Sequence, residues 1–410
     1  MRKILLLALL FLFGAFAVFP AVRAGEVTIR YWYHIDNPDL NEFPGLVKKF
    51  EAANPGIKVK AELIPWGSYF DNLFTAIVGG NAPDGVNIRV AFQAQLIEMG
   101  AILPLDDRIA KWPARDDILD DFWDKIRAPD GKTYLLPLYY NAMYLYYRQD
   151  LFEKYNVKVP TNKDEFLAAA KALTLDTDGD GRTDLYGFGL RGAFGGHEPW
   201  GSMVIPNAAN MTSEELGRPD VAANNQFYID LFRVHKVAPP SAPNDGFNEV
   251  TTGFRNGLTA MLMHHIGSAN AMAGVLGDKV SATPMPRFGA GGAGWTPFNE
   301  DESAILSSTK HPEETWKWIS FLSEAANNNL VAKSQGQLPA TKSGSAAWNL
   351  HPKRFIDATM GGLPYAYLLP LKPVTGEFIT AVWPQTIQRA LLGEIDSQTV
   401  LNTFDKHFNQ

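Results

Sequence analysis

Asp176, Asp178, Asp180 and Asp184, with Gly181 among them, are spaced D-x-D-x-D-G-x-x-D, the first three-quarters of an EF-hand calcium loop. Carboxylates at alternate positions can converge on one hard cation, while Gly181 allows the sharp turn and Arg182 offers its carbonyl. Gly187 stands where the bidentate acid of the twelfth position is expected, so either an acid from elsewhere completes the shell or affinity is low. An acidic surface turn is the plainer alternative. Crowded, unneutralised carboxylates repel one another, which favours a structural calcium ion that stiffens the loop and performs no chemistry. The pair His264-His265 suggests a metal of another kind. Side chains one apart on a strand point to opposite faces, so at most one of the two reaches a given site and zinc is not expected. No G-x-S-x-G elbow, H-E-x-x-H or phosphate loop occurs.

The elements that must position such groups read as α/β. Val27, Ile29 and Tyr31 alternate as in a strand, and so do Ile57, Val59, Ala61 and Leu63. Between them Phe43, Leu46, Val47 and Phe50 follow helical spacing, stopped by Asn54-Pro55-Gly56. A second helix carries Phe70, Leu73, Phe74 and Ile77 and ends at Gly79-Gly80-Asn81, before a short strand around Val86 and Ile88. Helical spacing returns at Phe166, Leu167, Ala170 and Leu173, and after Pro312 at Trp316, Ile319 and Leu322. Strands alternating with helices predict mainly parallel sheets covered on both faces.

Arg2 and Lys3, the apolar run from Ile4 to Phe19 and the small residue closing Val22-Arg23-Ala24 make residues 1–24 an export signal, cleaved near Ala24. The apolar run is shorter than the roughly 20 residues that span a bilayer. Cleavage would take the net charge from −7 to −10, which argues against nucleic acid as a partner. With no cysteine the exported chain has neither disulfides nor a lipid-anchor cysteine, and a periplasmic location is expected. The remaining length exceeds the roughly 250 to 300 residues that one core usually serves, so two domains are expected.

An ordered set of segments resembles the extracellular solute-binding proteins of ABC importers, in the class that includes maltose-binding and related sugar-binding proteins. The opening unit "RYWYHIDNP" to "LVKKFEAANPGIKVKAELIPW", the turn in "AIVGGNAPDGVNI" and the crossing "LLPLYYNAMYLYYRQDLFEKYNV" carry the likeness. So do "FRNGLTAMLMHHIGS", "KHPEETWKWISFLSEAANNNL" and the closing "ALLGEIDSQTVLNTF". The resemblance implies a two-lobed clamshell of the class II type, each lobe a mainly parallel sheet flanked by helices. Its chain would cross between lobes near Pro137 to Asn141, near Ala282 to Pro286 and near Leu322 to Ala326. The N-terminal lobe would then comprise 25–138 and 285–323, and the C-terminal lobe 139–284 and 324–410. It also implies a monomer without an organic cofactor that captures a mono- or oligosaccharide and delivers it to a membrane permease.

Sugars present apolar faces and rings of hydroxyls, so their sites need aromatic platforms and hydrogen-bonding side chains. The positions matching the family's contacts are His34, Asp36, Trp66 and Arg89 in the first lobe, and Asn141, Glu198, Trp200 and His264 or His265 in the second. Trp295, after a glycine-rich turn, is placed to lean into the cleft. Arg89, with Arg191 and Arg255, opens the alternative of an anionic solute such as a uronate or sugar phosphate. A secreted glycoside hydrolase using Glu198 and Asp36 is a further alternative, weakened because the resemblance puts them on opposite lobes. The expected protein is a binding protein, not an enzyme.

Overall fold

The structure, a computed structural model, describes residues 25–35, 40–346 and 348–409. The expected signal peptide and Asp36 lie outside the described residues. The strands are β1 (Val27–Tyr33), β2 (Ile57–Leu63), β3 (Gly85–Arg89), β4 (Leu136–Ala142), β5 (Tyr144–Arg148), β6 (Tyr186–Phe188), β7 (Thr259–His264), β8 (Val280–Pro284), β9 (Thr296–Ile305), β10 (Leu338–Pro339) and β11 (Ala366–Tyr367). They form a larger sheet in the order β10-β4-β9-β3-β1-β2, with β11 beside β9, and a smaller one in the order β6-β7-β5-β8.

β1, helix α1 (Phe43–Ala53) and β2 make the expected β-α-β unit, with β1 parallel to both β2 and β3. Helix α1 turns Phe43, Leu46 and Phe50 inward, and Tyr33 stacks on Phe43 with ring centroids 3.8 Å apart. β2 is an edge strand whose exposed Lys58 and Lys60 alternate with buried Ile57 and Val59, a charged rim that discourages pairing with another chain.

The chain passes from β4 in the larger sheet to β5 in the smaller through the single buried residue Met143, and returns between β8 and β9. Strands delivered by these crossings break the parallel pattern. β9 runs antiparallel to β3 and β4, and β5 runs antiparallel to β7 and β8, leaving β6 and β7 as the parallel pair of the smaller sheet. A strand that arrives from the other lobe has no helix of its own to reverse its direction, so both sheets are mixed.

The last crossing lies later than Leu322 to Ala326. Helices α2 (Pro312–Ser323) and α3 (Ala325–Gln335) remain on the larger lobe, where Ser323 Oγ donates to Pro137 O at 2.9 Å and Asn328 Nδ2 to Leu138 O at 2.6 Å. β10 then pairs with β4. Only beyond it does the helix Lys353–Gly362 reach the smaller lobe, with Arg354 Nε donating to Val280 O at 3.1 Å. Among the described residues no helix is long and apolar enough to cross a membrane.

Candidate functional site

Four side chains of the larger lobe gather at one end of its sheet. His34 follows β1, Trp66 opens a short turn after β2, Arg89 ends β3, and Asp301 on β9 lies opposite Arg89 in the strand register. The ends of parallel strands in an open sheet are where such architectures bind ligands. His34 Nε2 hydrogen-bonds Asp301 Oδ1 at 3.1 Å, and Arg89 Nε lies 3.6 Å from Asp301 Oδ2. The Arg89 guanidinium sits 4.4 Å from the Trp66 ring centroid, a cation-π contact, with the His34 ring at 4.6 Å from the same indole.

The smaller lobe answers from the loop 191–196 and the helix it starts (His197–Val204). Arg89 Nη1 donates to Glu198 Oε1 at 2.9 Å across the cleft, and Trp66 meets Phe194 with centroids 5.7 Å apart. Gly195 makes the loop possible: its φ is +86°, and a Cβ there would fall 2.0 Å from Arg191 Nη2. Arg191 therefore lies flat on the loop, its guanidinium 6.0 Å from the Phe247 ring. Phe247 also faces His264 at 5.0 Å, and the rings of His264 and His265 are 4.2 Å apart.

Charge in this region is balanced by burial and contact. Burial raises the Glu198 carboxyl, but Arg89 first, then His197 and Arg191, outweigh it and hold the group below its ordinary value. Burial is also the largest influence on the histidines: His197 is lowered to about 4, His264 to about 3, and His265 well below the usual value. All three imidazoles are thus neutral at pH 7.

Two voids flank the Trp66–Phe194 contact. One, of about 40 Å³, is lined by Arg89, His197, Trp295 and Phe298. The other, about 680 Å³ and open to solvent, is lined by Ile35, Arg191, Asn244, Phe247 and Asn248.

Of the positions expected from sequence, the structure brings together His34, Trp66, Arg89, Glu198 and His265. As expected, one of the two histidines reaches the site: His265, just past the end of β7, lines the chamber beside Arg89 and Glu198, while His264 is fully buried behind it. Trp295 is buried, with its benzo edge over Gly201, where a Cβ would come within 2.6 Å of the ring. Trp200 is not in the cleft. It is fully buried, donates from Nε1 to Asn225 Oδ1 at 2.9 Å and packs edge-on to Phe404. Asn141 is fully buried within β4 and lines neither void, and Arg255 is engaged with Thr252 Oγ1 on its own helix. Phe194, His197, Phe247 and Asp301 are members that sequence reasoning passed over. Asp301 sits in the polar run Asn299 to Ser303 of β9, which carries no apolar alternation, so sequence periodicity gave no signal for it.

Away from the cleft, carboxylate oxygens of Asp176, Asp178 and Asp184 come within 4.8 Å of one another, all exposed. Asp180 is not in that group; its Oδ1 accepts from Arg182 N at 2.8 Å. Asp176 accepts from Gly179 N and Gly181 N, and Asp184 from Thr177 N. Gly187 could not have been the acid of a complete loop, because a Cβ there would lie 1.9 Å from Ala170 O.

Residues 37–329 match the family described as bacterial extracellular solute-binding protein. A putative binding protein of Brucella abortus is 27% identical over 404 residues, covering 94% of this chain and 93% of the relative. The mannitol-binding protein of Pseudomonas aeruginosa is 27% identical over 323 residues, covering 74% and 70%. Among solved structures, an ABC transporter solute-binding protein of Thermotoga lettingae bound with alpha-D-tagatose is similar, with a TM-score of 0.81 at 21% identity, covering 93% of this chain and 99% of that one.

Proposed function

The chain belongs to the bacterial extracellular solute-binding proteins, and from that membership we propose that it captures a neutral sugar, or the corresponding sugar alcohol, between its lobes for delivery to the permease of an ABC importer. The observation that carries the reading is the cleft itself. Trp66, Phe194 and Phe247 offer apolar faces beside the polar set of Arg89, Glu198, Asp301 and His34. Aromatic faces suit sugar C–H surfaces, and charged partners make the stronger hydrogen bonds to hydroxyls. The mannitol-binding relative and the tagatose-bound neighbour support a polyhydroxyl ligand. An anionic solute fits less well, since Arg89 already faces two carboxylates.

No catalytic step is assigned. A glycosidase acid must keep its proton near neutral pH, whereas Glu198 is held ionised by Arg89. Ligand contacting both lobes would favour the closed form over an open one, a monomer acting by hinge closure outside the cytoplasmic membrane. The acidic loop is read separately as a weak structural calcium site, supported by the convergence of Asp176, Asp178 and Asp184.

A thermal-shift screen of neutral sugars, sugar alcohols and sugar acids tests the function, because a ligand that binds only the folded state raises its melting temperature. At least one neutral compound should give a saturable rise. A rise confined to acids, or release of product from an oligosaccharide, would overturn the reading.

A further inference from the structure

Arg89 belongs to the larger lobe, yet one of its two carboxylate partners is carried by the smaller. Glu198 Oε1 accepts from Nη1 at 2.9 Å, while Asp301 stands 3.6 Å from Nε on the arginine's own sheet. Trp66 covers one face of the guanidinium at 4.4 Å. Arg191 lines the same small chamber together with His197 and His265. Among the described residues, Arg89 and Arg191 bring positive charge to this region and Glu198 and Asp301 negative charge. The histidines add none at neutral pH, since burial keeps them unprotonated.

An arginine already paired with a largely buried carboxylate is selective in a definite direction. Hydroxyls can donate to the carboxylates and accept from the guanidinium groups, so a neutral polyol is satisfied from both sides. A ligand carboxylate brings a third negative charge next to two that are already desolvated, where repulsion is weakly screened.

We propose that Glu198 is a specificity-determining residue: as the counter-ion supplied by the opposite lobe, it neutralises Arg89 and makes the closed cleft refuse sugar acids in favour of neutral sugars and sugar alcohols. This rests on the sugar-binding reading above and extends it by naming the group that sets the charge class. Selectivity then arises on closure, because Glu198 is carried by the opposite lobe and reaches Arg89 only when the lobes meet. Glu198→Gln keeps the side chain's shape, removes the negative charge held against Arg89, and turns the site toward anions.

The test is calorimetric titration of the wild type, E198Q and the double variant E198Q/R89Q with D-mannitol, D-glucitol and D-glucose, and with D-mannonate, D-gluconate and D-glucuronate. Melting curves and near-ultraviolet dichroism establish that each variant is folded. The wild type should bind a neutral probe and discriminate against its acid. E198Q should bind that acid at least about tenfold more tightly than the wild type does, about 1.4 kcal/mol, and the double variant should lose the gain. A folded E198Q that binds the neutral probe but gains nothing for the acid overturns the role of Glu198 and leaves the sugar-binding reading standing. A wild type that prefers the acids overturns both, and one that binds no member of either set overturns the sugar reading and this inference with it.

Discussion

Glu198 and Trp200 are both expected in the cleft, and helical geometry separates them. Two residues apart on a helix are about 200° apart around its axis, so a helix that turns Glu198 into the cleft must turn Trp200 into the core. The tryptophans therefore make opposite predictions. Trp200→Phe removes the donor to buried Asn225 and should lower stability by about 1 to 3 kcal/mol in urea unfolding while leaving ligand affinity unchanged. Trp66→Ala, at a half-buried contact between lobes, should weaken ligand binding by at least about tenfold at little cost in stability. Affinity loss in W200F, or none in W66A, would reverse these assignments. Residue types were legible from sequence, and so was proximity to strand ends. The direction of each side chain was not, because it depends on which local element a motif adopts.

Ends of elements decided most of what sequence left open. His265 turns into the chamber because the strand stops just before it, and Gly195 and Gly201 are tolerated because each yields space to one large side chain. Gly201→Ala tests the second case. Its Cβ would meet the Trp295 ring at 2.6 Å within a helix that cannot shift freely, so the substitution should destabilise by about 1 to 3 kcal/mol in urea unfolding despite alanine's better helix propensity. Unchanged or increased stability would mean that the ring moves aside without strain. The acidic loop is testable at the same scale. Millimolar calcium should raise the melting temperature of the wild type and not that of Asp176→Asn, and equal curves in calcium and chelator would remove the ion from the account. The β-α-β opening was fully legible, since its apolar periods are set within some forty residues. The antiparallel β9 and the late return to the smaller lobe were not, because pairing between β10 and β4 joins segments about two hundred residues apart.

At the scale of the whole molecule, buried imidazoles tie the two lobes together. His351 Nε2 donates to Gly336 O at 2.7 Å, at the end of a larger-lobe helix, and its Nδ1 meets the side-chain amide of Asn270 on the smaller lobe at 3.1 Å. Burial lowers it to about 4, as it does His197, and lowers His264 to about 3. Unfolded histidines take up protons near pH 6.5, whereas these remain unprotonated in the fold until the pH is far lower. Above pH 6.5 neither state binds the proton and stability is independent of these groups. As pH falls from about 6.5 toward 4, the unfolded chain gains protons that the folded chain cannot accept, and each such histidine costs about 1.4 kcal/mol per pH unit. Glu198, whose carboxyl is held below its ordinary value, adds to the loss only at the acid end of that range. Urea unfolding should therefore show a steep fall in stability between pH 6.5 and about 4.5. His351→Gln, which removes one of these groups outside the ligand cleft, should reduce the slope without altering affinity at pH 7. A stability profile that stays level down to pH 4.5 would mean that water reaches these imidazoles and that the junction between the lobes is looser than its hydrogen bonds imply.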